Sequence, residues 1–197
     1  KELIKSSFND VTHGFPLKPL RIIQELRQNL KRDDILISDV GAHKIWIARF
    51  YPAYEPNTVI ISNGFSSMGF ALPAAVSAKM LYPEKNVVAV IGDGGFMMTA
   101  HELATAVKYN LPILICLFND SALSMVKHSQ KIKYEERYID GDLVNPDFVE
   151  FARSFGAYGH RVEKPGEIRN ALVKCREMMK EGKPCLIEFI VDAWETR

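Results

Sequence analysis

The chain has 197 residues, 25 basic and 24 acidic side chains, and a formal charge of +1 at pH 7. That balance is spread along the chain, which excludes both the basic footprint of a nucleic-acid binder and the cationic arm of a membrane-surface protein. An apolar content of 47% suits one globular domain with a substantial core, and no apolar run approaches a spanning helix. The three cysteines, Cys116, Cys175 and Cys185, form neither an even set nor a metal-ligand spacing, so a reducing, cytoplasmic setting is expected. The chain opens on Lys1 rather than Met, with no clear periodicity at its start. The expectation is a processed protein or a piece of a longer one, with 1–15 as an extension and 16–197 as the domain.

In chain order, 16–30 reads as a helix with Leu20, Ile23, Leu26 and Leu30 on one face. A short apolar strand follows at 35–40, and then Gly41-Ala42-His43 opens a helix that runs to Phe50. The second strand is 58–62. A turn of small residues, 63–69, leads into a small-residue helix over 70–80, with Pro73 expected to bend it or lie in its first turn. The third strand is 86–91. Thr99-Ala100-His101-Glu102 has the form of a capping box for a helix that buries Leu103, Ala106 and Val107. The fourth strand follows Leu111-Pro112, and 121–130 looks helical. The stretch 131–144 is polar, aromatic and aperiodic, and reads as a loop or lid. Asn145 is expected as the N-cap of the next helix, with Pro146 at its first position. A strand at 158–162, a helix at 167–180 and a last strand at 185–192 complete the chain. Six strands alternating with helices predict an α/β fold: a doubly wound, mostly parallel six-stranded sheet with helices on both faces.

The stretch 88–130 organises this pattern. Two strand-length apolar runs, one ending in Gly92-Asp93-Gly94-Gly95 and the other in Asn119-Asp120, flank a helix. In a parallel sheet such a unit brings both strand ends to one edge, where α/β proteins bind ligands. Asp93 and Asp120 are therefore expected side by side at one rim, where two oxygen ligands beside unobstructed glycine N–H groups suit Mg2+ bridging a diphosphate. The glycine loop alone is equally a strand-to-helix turn with a solvated aspartate. It lacks the third glycine of the dinucleotide fingerprint, since Met97 stands there, and no Gly-Lys-Ser/Thr follows to make a P-loop.

With Asn119-Asp120 in place, the pattern resembles the thiamine-diphosphate enzymes, whose motif is Gly-Asp-Gly followed at a distance by Asn. Further stretches look like acetolactate synthases: 58–64, 67–75, 102–107, Met125-Val126 and 39–46. Together they cover about 16–192, the diphosphate-binding domain of that family. Asn-Asp-Ser at 119–121 is similar to the catabolic, flavin-independent type. The resemblance implies thiamine diphosphate and Mg2+ as cofactors, with Asp93, Asp120 and the Ala122 carbonyl as metal ligands. It places His43 and the N–H groups of Gly94 and Gly95 at the diphosphate. Met68, which by itself also reads as core filler, would be the wedge that bends the cofactor, and the Ser66 carbonyl would accept from its amino group. Met125 and Val126 would face the substrate. Biosynthetic members usually carry Trp where Ser129 stands, so Ser129 argues for pyruvate alone as acceptor, or for another ligase. A Lys127/His128/Lys131/Lys133 cluster reads as a solvated face or as help for an anionic substrate.

The family's activating glutamate belongs to a pyrimidine-binding domain that 197 residues do not include. The resemblance thus implies the cofactor half of an active site shared with the same or another subunit, in a homo-oligomer that decarboxylates pyruvate and condenses the product with a second 2-oxo acid. Two alternatives stand beside it: a subunit of a split decarboxylase like sulfopyruvate decarboxylase, and a non-catalytic Mg2+- or nucleotide-binding module of flavodoxin-like shape. No nucleic-acid or membrane partner is expected.

Overall fold

A computed structural model describes residues 14–192. His13, Trp194 and nearly all of the expected extension lie outside the described residues. Six strands form one all-parallel sheet: β1 (Ile35–Ser38), β2 (Val59–Ile61), β3 (Val87–Gly92), β4 (Ile113–Asn119), β5 (Tyr158–Val162) and β6 (Cys185–Ile190). Their order is β2-β1-β3-β4-β6-β5. The helices are α1 (Pro19–Asn29), α2 (Ala42–Phe50), α3 (Ala71–Leu81), α4 (Asp93–Thr99), α5 (Glu102–Lys108), α6 (Ser124–Lys133), α7 (Phe148–Ser154) and α8 (Ile168–Lys180).

The central strands are buried on both faces, which is why β3 and β4 read as unbroken apolar runs. Alternate residues point to opposite sides. Val88, Val90, Cys116 and Phe118 pack with α1, α2 and α8, while Val87, Ala89, Ile115 and Leu117 pack with α3, α4, α5 and α7. On α1, Ile22, Ile23 and Leu26 are each 0% exposed, and each contributes about 1.5–3 kcal/mol. Ala71 and Ala75 of α3 are likewise fully buried, so their small side chains let that helix lie close on the sheet, with Pro73 in its first turn. No described helix is long and apolar enough to cross a membrane.

From β1 the chain winds outward to β2, and from β3 it winds the other way to β4. The carboxyl ends of β1 and β3 therefore face divergent connections, and a crevice opens between them. Asp39 follows β1, and Asp93 follows β3 as the first residue of α4.

Four local expectations change. Helix α1 starts at Pro19 rather than at residue 16, because Leu17 is drawn into a parallel bridge with Val191 and donates its N–H to the Ile190 carbonyl at 2.8 Å. The capping box at 99–102 does not form. Thr99 ends α4, and its hydroxyl donates to the Gly69 carbonyl at 3.0 Å, leaving α5 without a side-chain cap. Asn145 is not the N-cap of α7. That role falls to Asp147, whose carboxylate accepts from the Glu150 N–H at 2.9 Å. The predicted loop 131–144 begins inside α6, which runs to Lys133, and its far end is pinned back on the chain. Leu123 N–H donates to the Gly141 carbonyl and Leu143 N–H to the Ser121 carbonyl, both at 2.8 Å.

Candidate active site at the carboxyl edge

A cavity of about 330 Å³ opens at the β1–β3 crevice. The register sets Gly92 opposite Phe118, so Asp93, just past the end of β3, and Asp120, just past the end of β4, emerge at the same edge. Both line the cavity. Burial raises the Asp93 carboxyl to about 6, and the adjacent Asp120 charge adds to the rise. Asp120 is also raised, chiefly by burial, although it accepts from the Ser124 hydroxyl and from the Ala122 N–H. The Lys127 charge offsets part of the rise at Asp120, while Asp93 has Asn145 and backbone N–H groups opposing its own.

His43 sits at the start of α2 and is buried against Phe118, 6.2 Å between ring centres. Burial lowers its pKa to about 4, against an opposing hydrogen bond from the ring to the Asp39 backbone. Its Nε2 is buried with no hydrogen-bond partner, and the residue is one of those lining the cavity. Gly41 makes room for the ring, because a Cβ there would stand 2.7 Å from His43 Cε1.

Met68 reaches the cavity from the loop before α3. Asp39 holds that loop down. It is 0% exposed, and its carboxylate accepts from the N–H groups of Val40 (2.7 Å), Gly69 (3.0 Å) and Ala71 (2.8 Å). Gly69 adopts φ +82°, a turn that glycine makes without strain. Gly94 is confined differently. A Cβ there would lie 2.8 Å from Leu123 Cδ2, 3.2 Å from Leu143 Cδ1 and 3.6 Å from Met68 Cε. Its N–H donates to Asp93 Oδ1 at 2.9 Å.

Gly95, Ala122, Met125 and Val126 also line the cavity, as the sequence reading expects. Ser66 and Ser129 are not on its wall. Ser66 stands behind it, where its hydroxyl accepts from Lys44 Nζ at 3.2 Å and donates to the Ser62 carbonyl at 3.3 Å. Ser129 lies one helical turn beyond Met125 on α6. Of the basic cluster, Lys127 pairs with Asp142 at 2.6 Å and Lys131 approaches Glu136 at 3.9 Å. The 131–144 stretch thus supplies acids to the helix before it.

Asp39 stands in no recognisable capping or ligand pattern, and Asn145 is expected only as a cap. Asn145 instead donates from its amide nitrogen to Asp93 Oδ2 at 2.7 Å and to Asn119 Oδ1 at 3.0 Å. One signal was available: Asp147, with Glu150 three residues later, is itself a capping pattern, which would have released Asn145 for other work.

Among the described residues, no group of three or more His, Cys, Asp or Glu side chains could hold a metal by itself. Two carboxylates beside an anion-sized cavity suit a hard cation that completes its octahedron with backbone, water and a bound anion, as Mg2+ does. The unpartnered His43 Nε2 and the confined Gly94 fit such an anion.

Residues 39–189 match the family model described as "Thiamine pyrophosphate enzyme, C-terminal TPP binding domain". The chain belongs to that family. Among curated proteins, this thiamine pyrophosphate enzyme domain is 42% identical over 174 residues to the acetolactate synthase of Bacillus subtilis, covering 88% of this chain and 30% of that protein. It is 37% identical over 185 residues to the acetolactate synthase isozyme 3 large subunit of Escherichia coli, covering 93% and 32%. The probable acetolactate synthase large subunit of Methanococcus aeolicus is 36% identical over 183 residues, covering 90% and 30%. The chain therefore spans about 30% of the length of the curated relatives it matches. In fold, it superposes with a TM-score of 0.84 on the thiamine diphosphate-dependent 4-hydroxybenzoylformate decarboxylase of Rhodococcus jostii RHA1, at 22% identity over 93% of this chain and 34% of that one. The predicted doubly wound α/β architecture holds.

Proposed function

We propose that this domain holds thiamine diphosphate and Mg2+ for an acetolactate-synthase-like enzyme that decarboxylates pyruvate and condenses the product with a second 2-oxo acid. The observation that carries this reading is the meeting of Asp93 and Asp120, both raised in pKa, in one cavity with an unpartnered histidine nitrogen. Asp93, Asp120 and the Ala122 carbonyl would hold the cation. His43 and the N–H groups of Gly94 and Gly95 would meet the diphosphate, with the Gly94 N–H shared between that anion and Asp93. An anion at Nε2 favours the protonated ring, so His43 would take up a proton as it binds.

When bound, thiamine diphosphate supplies a nucleophilic carbon and an electron sink for decarboxylation. Met68 would keep the cofactor bent, with the Ser66 carbonyl receiving its amino group. Met125 and Val126, which are 45% and 43% exposed at the cavity, would form the apolar wall for a small 2-oxo acid. Ser129 in place of a bulky aromatic favours pyruvate as acceptor. The activating glutamate would come from a pyrimidine-binding domain of the same or another subunit, and the working enzyme would be a homo-oligomer.

Calorimetry of the 197-residue chain with thiamine diphosphate, with and without Mg2+, tests the reading. Binding is expected only with the cation, and without pyruvate turnover. Turnover is expected once a pyrimidine-binding domain carrying the glutamate is supplied. Binding indifferent to Mg2+, or substantial pyruvate consumption by the chain alone, contradicts it.

A further inference from the structure

We propose that Asn145 is a positioning residue that sets the Asp93 carboxylate for its cation, and that a polar circuit running from buried Asn119 and Glu188 out to exposed Arg161 and Asp147 holds Asn145 in place. The inference rests on the reading of Asp93 as a cation ligand.

The circuit can be followed bond by bond. The Asn145 amide nitrogen donates to Asp93 Oδ2 at 2.7 Å and to Asn119 Oδ1 at 3.0 Å, which uses both of its hydrogens. The Asn119 amide nitrogen donates in turn to Glu188 Oε1 at 2.7 Å. The other Glu188 oxygen accepts from Arg161 Nε, also at 2.7 Å. Arg161 extends a second nitrogen to Asp147 Oδ2 at 3.3 Å. Asp147 stands two residues after Asn145 and caps α7, so the path returns to the segment on which it began.

Three features separate this arrangement from ordinary stabilisation. Glu188 lies in a central strand with its side chain only 1% exposed, a costly place for a carboxylate that an apolar residue would fill at less expense. Its partners lie on β4 and β5, and through them it ties three strands to the start of α7. Asp93 Oδ1 accepts from the Gly94 N–H of its own turn, and the Ser121 N–H also favours the charged carboxylate, while Asp120 repels the group. Asn145 supplies the side-chain contact from outside that turn. An amide is also the right chemistry. It orients the carboxylate with one hydrogen bond and anchors itself to Asn119 with the other, yet carries no charge, so the negative charge of Asp93 remains for the cation. Lysine or arginine at this position would cancel it.

Titration of the intact protein that carries this domain with Mn2+ in the presence of thiamine diphosphate, read by electron paramagnetic resonance, tests the proposal. Asn145→Ala should weaken Mn2+ uptake about 10–100-fold, the usual cost of removing a partner of a metal ligand, and alter the spectrum of the bound ion. Glu188→Gln should shift both in the same direction by less. If Asn145→Ala fails to fold, Arg161→Lys, which keeps the charge but loses the two-pronged contact, carries the same readout and should also weaken uptake. A folded variant with a lowered melting temperature but wild-type Mn2+ affinity and spectrum would make the circuit purely structural and overturn the proposal. Wild-type protein that takes up no Mn2+ with thiamine diphosphate would instead strike the assignment of Asp93 itself.

Discussion

Two buried aspartates leave neighbouring strands of the same sheet and do opposite work. Asp39, at the end of β1, is saturated: three backbone N–H groups from two segments converge on it, and the loop carrying Met68 is fixed as a result. Asp93, just past the end of β3, has the Gly94 N–H of its own turn, a contribution from the Ser121 N–H and one side-chain amide, and it shares a cavity with a second carboxylate. Burial raises both groups, but only Asp93 has a like charge pushing it further. A carboxylate whose lone pairs are filled by backbone is part of the scaffold. One left under repulsion is suited to a cation.

The largest expected effect separates the two at once. Asp39→Ala leaves three N–H groups without an acceptor and should cost on the order of 4 kcal/mol in chemical denaturation, with cofactor binding lost along with the loop. His43→Gln comes next and is read through pH. With a folded pKa of about 4 against 6.5 when exposed, the unfolded state binds more protons between those values, so this residue makes stability rise as pH climbs from 4 to 6.5. The variant should flatten about 3 kcal/mol of that dependence, measured as denaturation midpoints across the window.

Asp93 has the contrary sign. Its folded pKa of about 6 lies above the ordinary 3.8, so its contribution falls as pH rises through that interval and stays unfavourable above it. Asp93→Asn should therefore stabilise the cation-free protein by about 1–2 kcal/mol at pH 8 while weakening Mg2+-dependent binding. Loss of stability in this variant would make Asp93 a scaffold residue like Asp39 and erase the contrast. The smallest effect is at Gly94. The atoms a methyl would meet are the free ends of Leu123 and Leu143, so Gly94→Ala should cost only about 1 kcal/mol. Thiamine diphosphate affinity by calorimetry should fall by about tenfold, a difference of ~1.4 kcal/mol, because the cradle narrows.

Much of this was legible in the residues. Continuous apolar runs at β3 and β4 announced strands covered on both faces, and the polar residues ending each run marked the rim where Asp93 and Asp120 meet. The errors share a cause. Thr99, Asn145 and Asp147 are all short side chains able to cap a helix, and a local pattern cannot say which one a distant carbonyl or carboxylate will claim. Thr99 went to Gly69, thirty residues away, and Asn145 to Asp93, fifty-two residues away. Past Lys133, where α6 ends, the 131–144 stretch had no periodicity to read, and its far end at 141–143 pairs with the 121–123 turn.

The chain by itself therefore determined its alternation of strands and helices and the pairing of two acids at one edge, since burial on both faces and strand-end chemistry are written locally. Its motifs carried the resemblance to thiamine-diphosphate enzymes that the family match bears out. Only the folded arrangement decided the strand order, the clamp on the Met68 loop and the circuit behind Asp93. Short polar side chains have several partners of similar energy, and packing alone selects which of them comes within reach.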